Sequence, residues 1–148
     1  MQPLQFLVPL DALEAVEPVL KYVILGLVLV NIVTRLLAHR SHVKQVRDDD
    51  DETLSRYLPH TASTLLLVFA SFALLLLEPH AGTVLSVLVL GLFLADVFEF
   101  ESRQVEARSK SLDLERPKAA LGASVLVLMY AAYQSLFFLV ADYWNLVV

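Results

Sequence analysis

The stretch AALGASVLVLMYAAYQSLFFLVA, Ala119–Ala141, runs for 23 residues without a charged side chain. An α-helix rises about 1.5 Å per residue, so a helix of this length spans about 35 Å. That is enough to cross the hydrocarbon core of a bilayer, which is about 30 Å thick. The stretch is continuously apolar, whereas strands of membrane barrels alternate between polar and apolar residues. It therefore predicts a transmembrane helix.

Three further apolar segments precede it, at about residues 19–38, 61–77 and 81–98. In the first of these, Lys21 and Arg35 lie near the two ends, and their long side chains can reach outward to the interface. A soluble bundle of four buried helices is the alternative, but the remaining polar residues are too few to cover it. The sequence therefore predicts an all-α bundle of four transmembrane helices, the fourth at 119–141.

The amino-acid composition favours a membrane protein. Hydrophobic residues make up 57% of the 148 residues and charged residues 18%, whereas soluble domains are nearer to about half and about a quarter. The chain has no cysteine, which excludes disulfides, cysteine-bound zinc or iron–sulfur centres and thiol catalysis. The N-terminal sequence has neither a basic region nor a small-residue cleavage site, so a removable signal peptide is not expected.

Lysine and arginine residues are distributed asymmetrically along the chain. Ten of the eleven lie in or beside two loops, 39–60 and 99–118, and the remaining one is Lys21. The Glu78–Gly82 turn and the tail after Ala141 have none. Because basic loops stay in the cytoplasm, both loops are predicted to be cytoplasmic and both termini to lie outside the cell membrane.

Residues 1–17 are interpreted as an outer interfacial segment that precedes a four-helix domain over 18–148. The segment is expected to form a short amphipathic helix, with Asp11 as its N-cap and Glu14 three residues later. Pro18 would then fall in the first turn of the first span, where its missing N–H is tolerated. At the other side, the third helix is predicted to continue to about residue 109, because Glu99 and Arg103 have the spacing of a helical ion pair.

Small residues mark the surfaces through which helices are expected to pack. In lipid, helices associate through close contact of small side chains and a few polar contacts. The small residues of the fourth helix fall on one face, within about 60° of each other. Those of the third form two pairs spaced by four residues on different faces, which would allow contact with two neighbours. The predicted helix-contact residues are Asn31, Gly82, Ser86, Gly91, Ala95, Ala120, Ser124, Ala131, Gln134 and Ser135.

Asn31 and Gln134 are the two strongly polar, uncharged side chains deep in the predicted spans. One hypothesis is that they hydrogen-bond to each other, directly or through water, between the first and fourth helices. Such bonds in membrane proteins average about 0.6 kcal/mol. The other interpretation gives each of them a local backbone partner or a partner in a second copy of the chain.

Three histidines are weak candidates for a metal site. His39 and His42 are about one helical turn apart, and His60 begins the second span on the same side. Arg40 and Lys44 are interleaved with them and would repel a cation, so the histidines are interpreted as solvated. Bis-histidine haem would need histidines inside two spans, which the predicted spans do not offer. Neither a metal nor a cofactor is therefore expected.

Catalysis, ion transport and nucleic-acid binding have little support in the sequence. Transport needs ionisable groups inside the bilayer, whereas Asp96 and Glu78 lie near span ends and are interpreted as solvated. The bases around Arg40 are offset by the acidic run Asp48–Glu52, which argues against nucleic acid as a partner. The chain has no phosphate-binding loop, nucleophile elbow or HExxH motif, so we do not expect an enzyme.

The run RDDDDE, Arg47–Glu52, is the most distinctive part of the loop sequence. Together with seven arginines against four lysines and spans rich in Val, Leu and Ala, it resembles small multi-pass membrane proteins of halophilic archaea. Some such proteins are encoded beside cytochrome bc-type respiratory genes. The resemblance therefore implies a respiratory context.

The expected function is that of a non-catalytic integral membrane protein. It would be an accessory or scaffold subunit of a larger membrane assembly, or a homo-oligomer, with the lipid bilayer and other membrane subunits or itself as partners. The first alternative is a transport or channel component in which Asn31 and Gln134 line the path. The second is a membrane redox, haem or metal binder that uses His39, His42 and His60.

Overall fold

The computed structural model describes residues 10–47, 55–108 and 118–147, and nearly all of these are helical. The elements in chain order are α1 (Leu10–Arg47), α2 (Leu58–Leu77), α3 (Pro79–Arg108), α4 (Lys118–Leu136), a 3₁₀ helix (Phe137–Leu139) and α5 (Ala141–Val147). Four of the helices are long and apolar enough to cross a membrane. The prediction of an all-α bundle of four such helices is confirmed.

The four long helices run alternately up and down and form a ring. Each packs against its two neighbours, in the pairs α1 with α2, α2 with α3, α3 with α4, and α4 with α1. Helices α1 and α3 are therefore diagonal partners that run in the same direction. We call the end where α1 and α3 finish the loop end, and the opposite end, where Glu78 joins α2 to α3, the turn end.

Seven buried residues of α1 recur at spacings of three or four, which produces a single inward face. This is the pattern of helices that pack side by side in a bundle. The face is apolar near the turn end and becomes polar toward the loop end. Its members are Leu20, Ile24, Val28, Asn31, Arg35, Ala38 and His42.

The outward faces are more apolar than much of the interior. Phe69, Val87 and Phe98 are each about two-thirds exposed, whereas the Asn31 and Ser124 side chains are fully buried. A soluble protein would aggregate through such a surface. In a bilayer, lipid covers the outer side chains and the interior holds the polar ones. This polarity is compatible with a multi-pass membrane protein.

The turn between α2 and α3 is a single residue, Glu78. It forms an ion pair with Lys21 of α1 at 3.0 Å. Gly82 lies in the first turn of α3, where a Cβ atom would overlap the backbone of Leu75 and come within 2.6 Å of the Leu74 carbonyl carbon. Only glycine therefore lets α3 return this closely along α2.

The structure differs from the expected N-terminal segment. Helix α1 is continuous from Leu10, so residues 10–17 are its first turns and not a separate helix. Asp11 lies inside this first turn, and Pro18 lies in the helix interior, where it removes one backbone hydrogen bond. The continuous helix keeps the other backbone hydrogen bonds that cross this point, which a break at Pro18 would lose. Residues 1–9 of the predicted segment lie outside the described residues.

The ends of α2 and α3 lie close to the predictions, whereas α1 continues to Arg47, nine residues beyond the expected end of its span at 38. Helix α3 reaches Arg108, which confirms its predicted extension beyond the span. Helix α4 ends at Leu136, five residues before the expected end of the span at 141, and the chain continues as the 3₁₀ helix. The following α5 begins with Asp142 in its first turn, where a carboxylate is favourable at a helix N-terminus. Its side chains are largely exposed.

Candidate functional site

An ion pair crosses the bundle diagonal near the loop end. The Arg35 guanidinium on α1 donates from Nε to Oδ1 of Asp96 at 3.0 Å and from Nη2 to Oδ2 at 2.6 Å. The Arg35 side chain is 1% exposed and that of Asp96 is 16% exposed. A two-pronged contact of this kind fixes both position and orientation. It connects α1 to α3, which are not ring neighbours.

The expectation that Arg35 reaches outward and that Asp96 is solvated is wrong. Both residues lie on the inward faces of their helices, so their side chains meet inside the bundle. Each neutralises the charge of the other, which lowers the free-energy cost of burial that either charge would have alone.

His60 joins α2 to this ion pair. Its Nε2 lies 3.3 Å from Oδ2 of Asp96, and its Nδ1 is 2.9 Å from the hydroxyl of Thr34 on α1. The side chain is 14% exposed, so the interpretation of His60 as a solvated residue is wrong. Three helices thus meet at one carboxylate and one imidazole.

Hydroxyl and amide groups continue the contacts toward the middle of the bundle. The Asn31 amide donates from Nδ2 to the hydroxyls of Ser63 and Thr64, both at 2.9 Å. The Ser63 hydroxyl is 3.0 Å from that of Thr34, which also donates to the Asn31 carbonyl at 3.0 Å. The contacts are therefore continuous from the ion pair to Asn31. We call the set the polar network: Asn31, Thr34, Arg35, His60, Ser63, Thr64 and Asp96.

The hypothesis that Asn31 pairs with Gln134 is wrong. Gln134 donates to the Tyr130 hydroxyl of its own helix at 3.2 Å, and it lines a small cavity with Lys21 and Ile24 near the turn end. Asn31 lies seven residues beyond Ile24, which is about 10 Å along α1. The two amides are therefore at different depths. Gln134 therefore has a local partner, although that partner is a side chain and not the backbone. Asn31 bonds instead to side chains of α2.

A second polar layer lies nearer the loop end and contains His42. This residue is 2% exposed, so its interpretation as a solvated histidine is also wrong. Its Nδ1 is 3.3 Å from Nη1 of Arg103, and its Nε2 is 3.2 Å from the Ser55 carbonyl. Because a guanidinium only donates, Nδ1 accepts from Arg103 and Nε2 carries the hydrogen that the Ser55 carbonyl accepts.

Glu99 links the loop-end part of α3 to the start of α4. Its Oε1 accepts hydrogen bonds from the backbone N–H groups of Ala119 and Ala120, at 2.9 Å and 3.1 Å. Such N–H groups have no partner within their own helix. The other oxygen, Oε2, lies 3.6 Å from Nη2 of Arg103, so the predicted pair of Glu99 with Arg103 is confirmed.

A cavity of about 40 Å³ lies between the two polar layers. The guanidinium carbon of Arg56 stands 4.3 Å from the centre of the Phe100 ring, which also lines it. A second cavity, of about 50 Å³, continues from Arg56 along α2 and α3 to Leu65 and Phe93. The first cavity is lined by Arg35, Ala38, His42, Arg56, Tyr57, His60, Thr61, Asp96, Phe100 and Arg103.

The three histidines proposed as weak metal ligands do not lie together at one site. His42 and His60 line the first cavity, each bonded to other groups, and His39 is not part of that lining. Among the residues that the structure describes, no three His, Asp or Glu side chains are grouped so that they could hold a metal ion.

The predicted helix-contact residues of α4 face the interior. Ala120, Ser124, Ala131 and Ser135 are each at most 5% exposed. The Ser124 and Ser135 hydroxyls donate to carbonyls of their own helix, both at 2.7 Å. The packing face of α4 therefore consists of small residues, and its two serine hydroxyls bond within the helix.

The small residues of α3 are divided between the interior and the outside. Gly82 is buried, and the Ser86 hydroxyl donates to the Ser71 carbonyl of α2 at 3.3 Å. Ala95 packs against the edge of the apolar core. Gly91 faces outward, with open space where a Cβ would stand, so it makes no helix contact within this chain. The expectation that it contacts a neighbouring helix of the bundle is wrong, because the inward face of α3 passes through Val89 and Leu92 instead.

The positions of the ion-pair residues along the sequence contain a signal of their contact. Arg35 and Asp96 are 61 residues apart, as are His42 and Arg103. These two pairs are seven residues apart on each helix, which is two turns. A constant offset between polar residues of two parallel helices indicates that they lie at matching levels.

Comparison with known proteins gives one family match. The model of DUF7313, a domain of unknown function, matches residues 2–148. Comparisons with curated proteins and with solved structures give no match.

Proposed function

The chain belongs to the DUF7313 family, and we propose that it is a non-catalytic integral membrane protein that acts in assembly. It would be an accessory or scaffold subunit of a larger complex in the cell membrane, or a homo-oligomer. The resemblance to small membrane proteins of halophilic archaea supports a respiratory complex as that setting.

The orientation proposed here has both termini outside and residues 39–60 and 99–118 in the cytoplasm. Among the described residues, Arg40, Lys44, Arg56 and Lys118 lie at the loop end, whereas Lys21 lies at the turn end. This distribution supports a cytoplasmic loop end.

The observation that supports the proposal most directly is the bonding and packing of the side chains inside the bundle. The polar network bonds mainly to itself, and toward the turn end the core is dominated by apolar side chains such as Val28, Leu74 and Val89. The Ser71 hydroxyl at this level donates to the Val68 carbonyl at 2.7 Å. Such an interior is suited to holding helices together, because most of its polar groups bind each other.

The outer surface supports assembly as well. Gly91 leaves a notch on the outward face of α3, and it is flanked by the exposed side chains of Val87 and Leu94. Glycine notches let a second helix approach closely in lipid. A partner helix, from another subunit or a second copy, would fit this face.

The test is purification of the full chain from its native membrane in a mild detergent. We expect stoichiometric partners or a defined oligomer, and Gly91→Leu is expected to reduce the recovered assembly without changing the unfolding temperature of the bundle. Gly26→Leu is the matched control, because Gly26 also faces outward into open space but on α1. A protein that purifies only as a monomer would contradict the proposal.

Transport is the second candidate, and the polar network favours it. An intramembrane charge cluster is a common feature of ion and proton pathways. The network extends from the loop end to Asn31, which is about half of the way across the bundle. Transport would also require the apolar core of the turn end to open. Flux in proteoliposomes that is lost in Asp96→Asn would favour transport over assembly.

A further inference from the structure

We infer that the loop-end cavity binds an anionic group, either a small inorganic anion or the phosphate of a lipid headgroup. The group would lie against Arg35, Arg56 and His60.

The charges around the cavity leave a positive excess. Three arginines line it against one carboxylate. Arg35 is paired with Asp96, and Arg103 is paired with Glu99, which lies just outside the lining. Among the described residues, the charge of Arg56, whose guanidinium stands over the Phe100 ring, is the one that remains. An anion in the cavity would neutralise it.

Donor atoms point to the same conclusion independently of the charge. Within the described residues, Nη1 of Arg35 is buried and has no hydrogen-bond acceptor, although the other two nitrogens of the guanidinium bind Asp96. The Nε2 atom of His60 is also buried and has no hydrogen-bond partner among the described residues, and it lies 3.3 Å from Oδ2 of Asp96. An unsatisfied donor on a buried guanidinium is costly in free energy. Both side chains line the cavity.

The space is matched to a small group. A cavity needs roughly 10–15 Å³ to hold one water molecule, so about 40 Å³ admits one small anion with a water or two. The second cavity shares Arg56, His60, Thr61 and Asp96 with the first and ends between Leu65 and Phe93. An acyl chain would follow that apolar end if the anionic group belongs to a lipid.

The experiment uses the purified full chain in an uncharged detergent. Its unfolding temperature is measured at constant ionic strength while chloride, or inorganic phosphate, replaces gluconate, an anion too large for the cavity. A parallel series adds phosphatidylglycerol to the micelles, with phosphatidylcholine as the neutral lipid. We expect a saturable rise in one series. A rise with the inorganic anions identifies a free anion, and a rise only with phosphatidylglycerol identifies a lipid headgroup.

Matched arginine variants separate the site from general screening. Arg56→Gln is expected to weaken the apparent affinity by about tenfold, as for loss of one charge-assisted hydrogen bond. Arg40→Gln, at an exposed position of the same end that does not line the cavity, is expected to keep the wild-type response. Arg35 is left unchanged, because its removal would leave Asp96 without its ion-pair partner and would test folding instead of binding.

The inference is overturned if the unfolding temperature of the wild type responds to neither series, in which case water alone fills the cavity. It is also overturned if Arg56→Gln and Arg40→Gln respond alike.

Discussion

The buried ion pair between Arg35 and Asp96 dominates the chemistry of single residues in this protein. A buried charge that loses its partner costs far more than an exposed one, because lipid and apolar side chains cannot solvate it. The geometry therefore makes the two residues interdependent. Neither can be replaced alone without leaving a charge inside the bundle.

We expect Asp96→Leu to destabilise the bundle by about 3–5 kcal/mol, since it leaves the Arg35 guanidinium buried and unpaired. The double variant Arg35→Met with Asp96→Leu should recover most of that loss, because it removes both charges. Denaturant unfolding in detergent measures both effects. Equal destabilisation by the single and double variants would show that the pair is not what matters at this position.

Asn31 is expected to couple to α2 and not to Gln134. Asn31→Leu should cost about 0.6–2 kcal/mol, the range for interhelical hydrogen bonds in membrane proteins. In a double-mutant cycle with Ser63→Ala the two losses should not add, because the residues share a hydrogen bond at 2.9 Å. In the matched cycle with Gln134→Leu they should add within about 0.5 kcal/mol. Additivity in the first cycle would exclude the bond.

Among the helices, close approach of α2 and α3 depends on one glycine. Gly82→Ala is expected to destabilise the bundle, because the new methyl group overlaps the Leu75 backbone and forces the helices apart. Gly91→Ala is the control, and it should be neutral or stabilising by up to about 1 kcal/mol, since alanine favours helix over glycine. The free energy of unfolding is measured for both variants. The same change in both would contradict the prediction.

The accuracy of sequence reasoning differs between the helices for identifiable reasons. The inward face of α4 was predicted because small residues at helical spacing are visible within one segment. Arg35 and Asp96 were misplaced because a charge near a span end can turn outward or inward, and only the rotation of each helix against its partners decides. Asn31 and Gln134 were paired incorrectly because depth depends on how α1 and α4 slide against each other. That sliding is set by contacts across the bundle, which no single segment contains.

Viewed as a whole molecule, the bundle is divided along its length. The turn-end half is mostly apolar and contains the tight Glu78 turn, whereas the loop-end half contains the polar network, the His42 layer and the two cavities that share Arg56. Such a division suits a protein whose loop end meets one aqueous side. The proposed anion would then enter from the side of the membrane on which the loop end lies.

The most direct test of the central claim, a four-span bundle with its loops on one side and its termini on the other, is single-cysteine labelling. The chain has no native cysteine, so each variant contains one target. In intact cells, a membrane-impermeant thiol reagent is expected to label Asn145→Cys, and to label Ser41→Cys and Ser102→Cys only after the membrane is opened. Labelling of all three positions from the same side would contradict the four-span account.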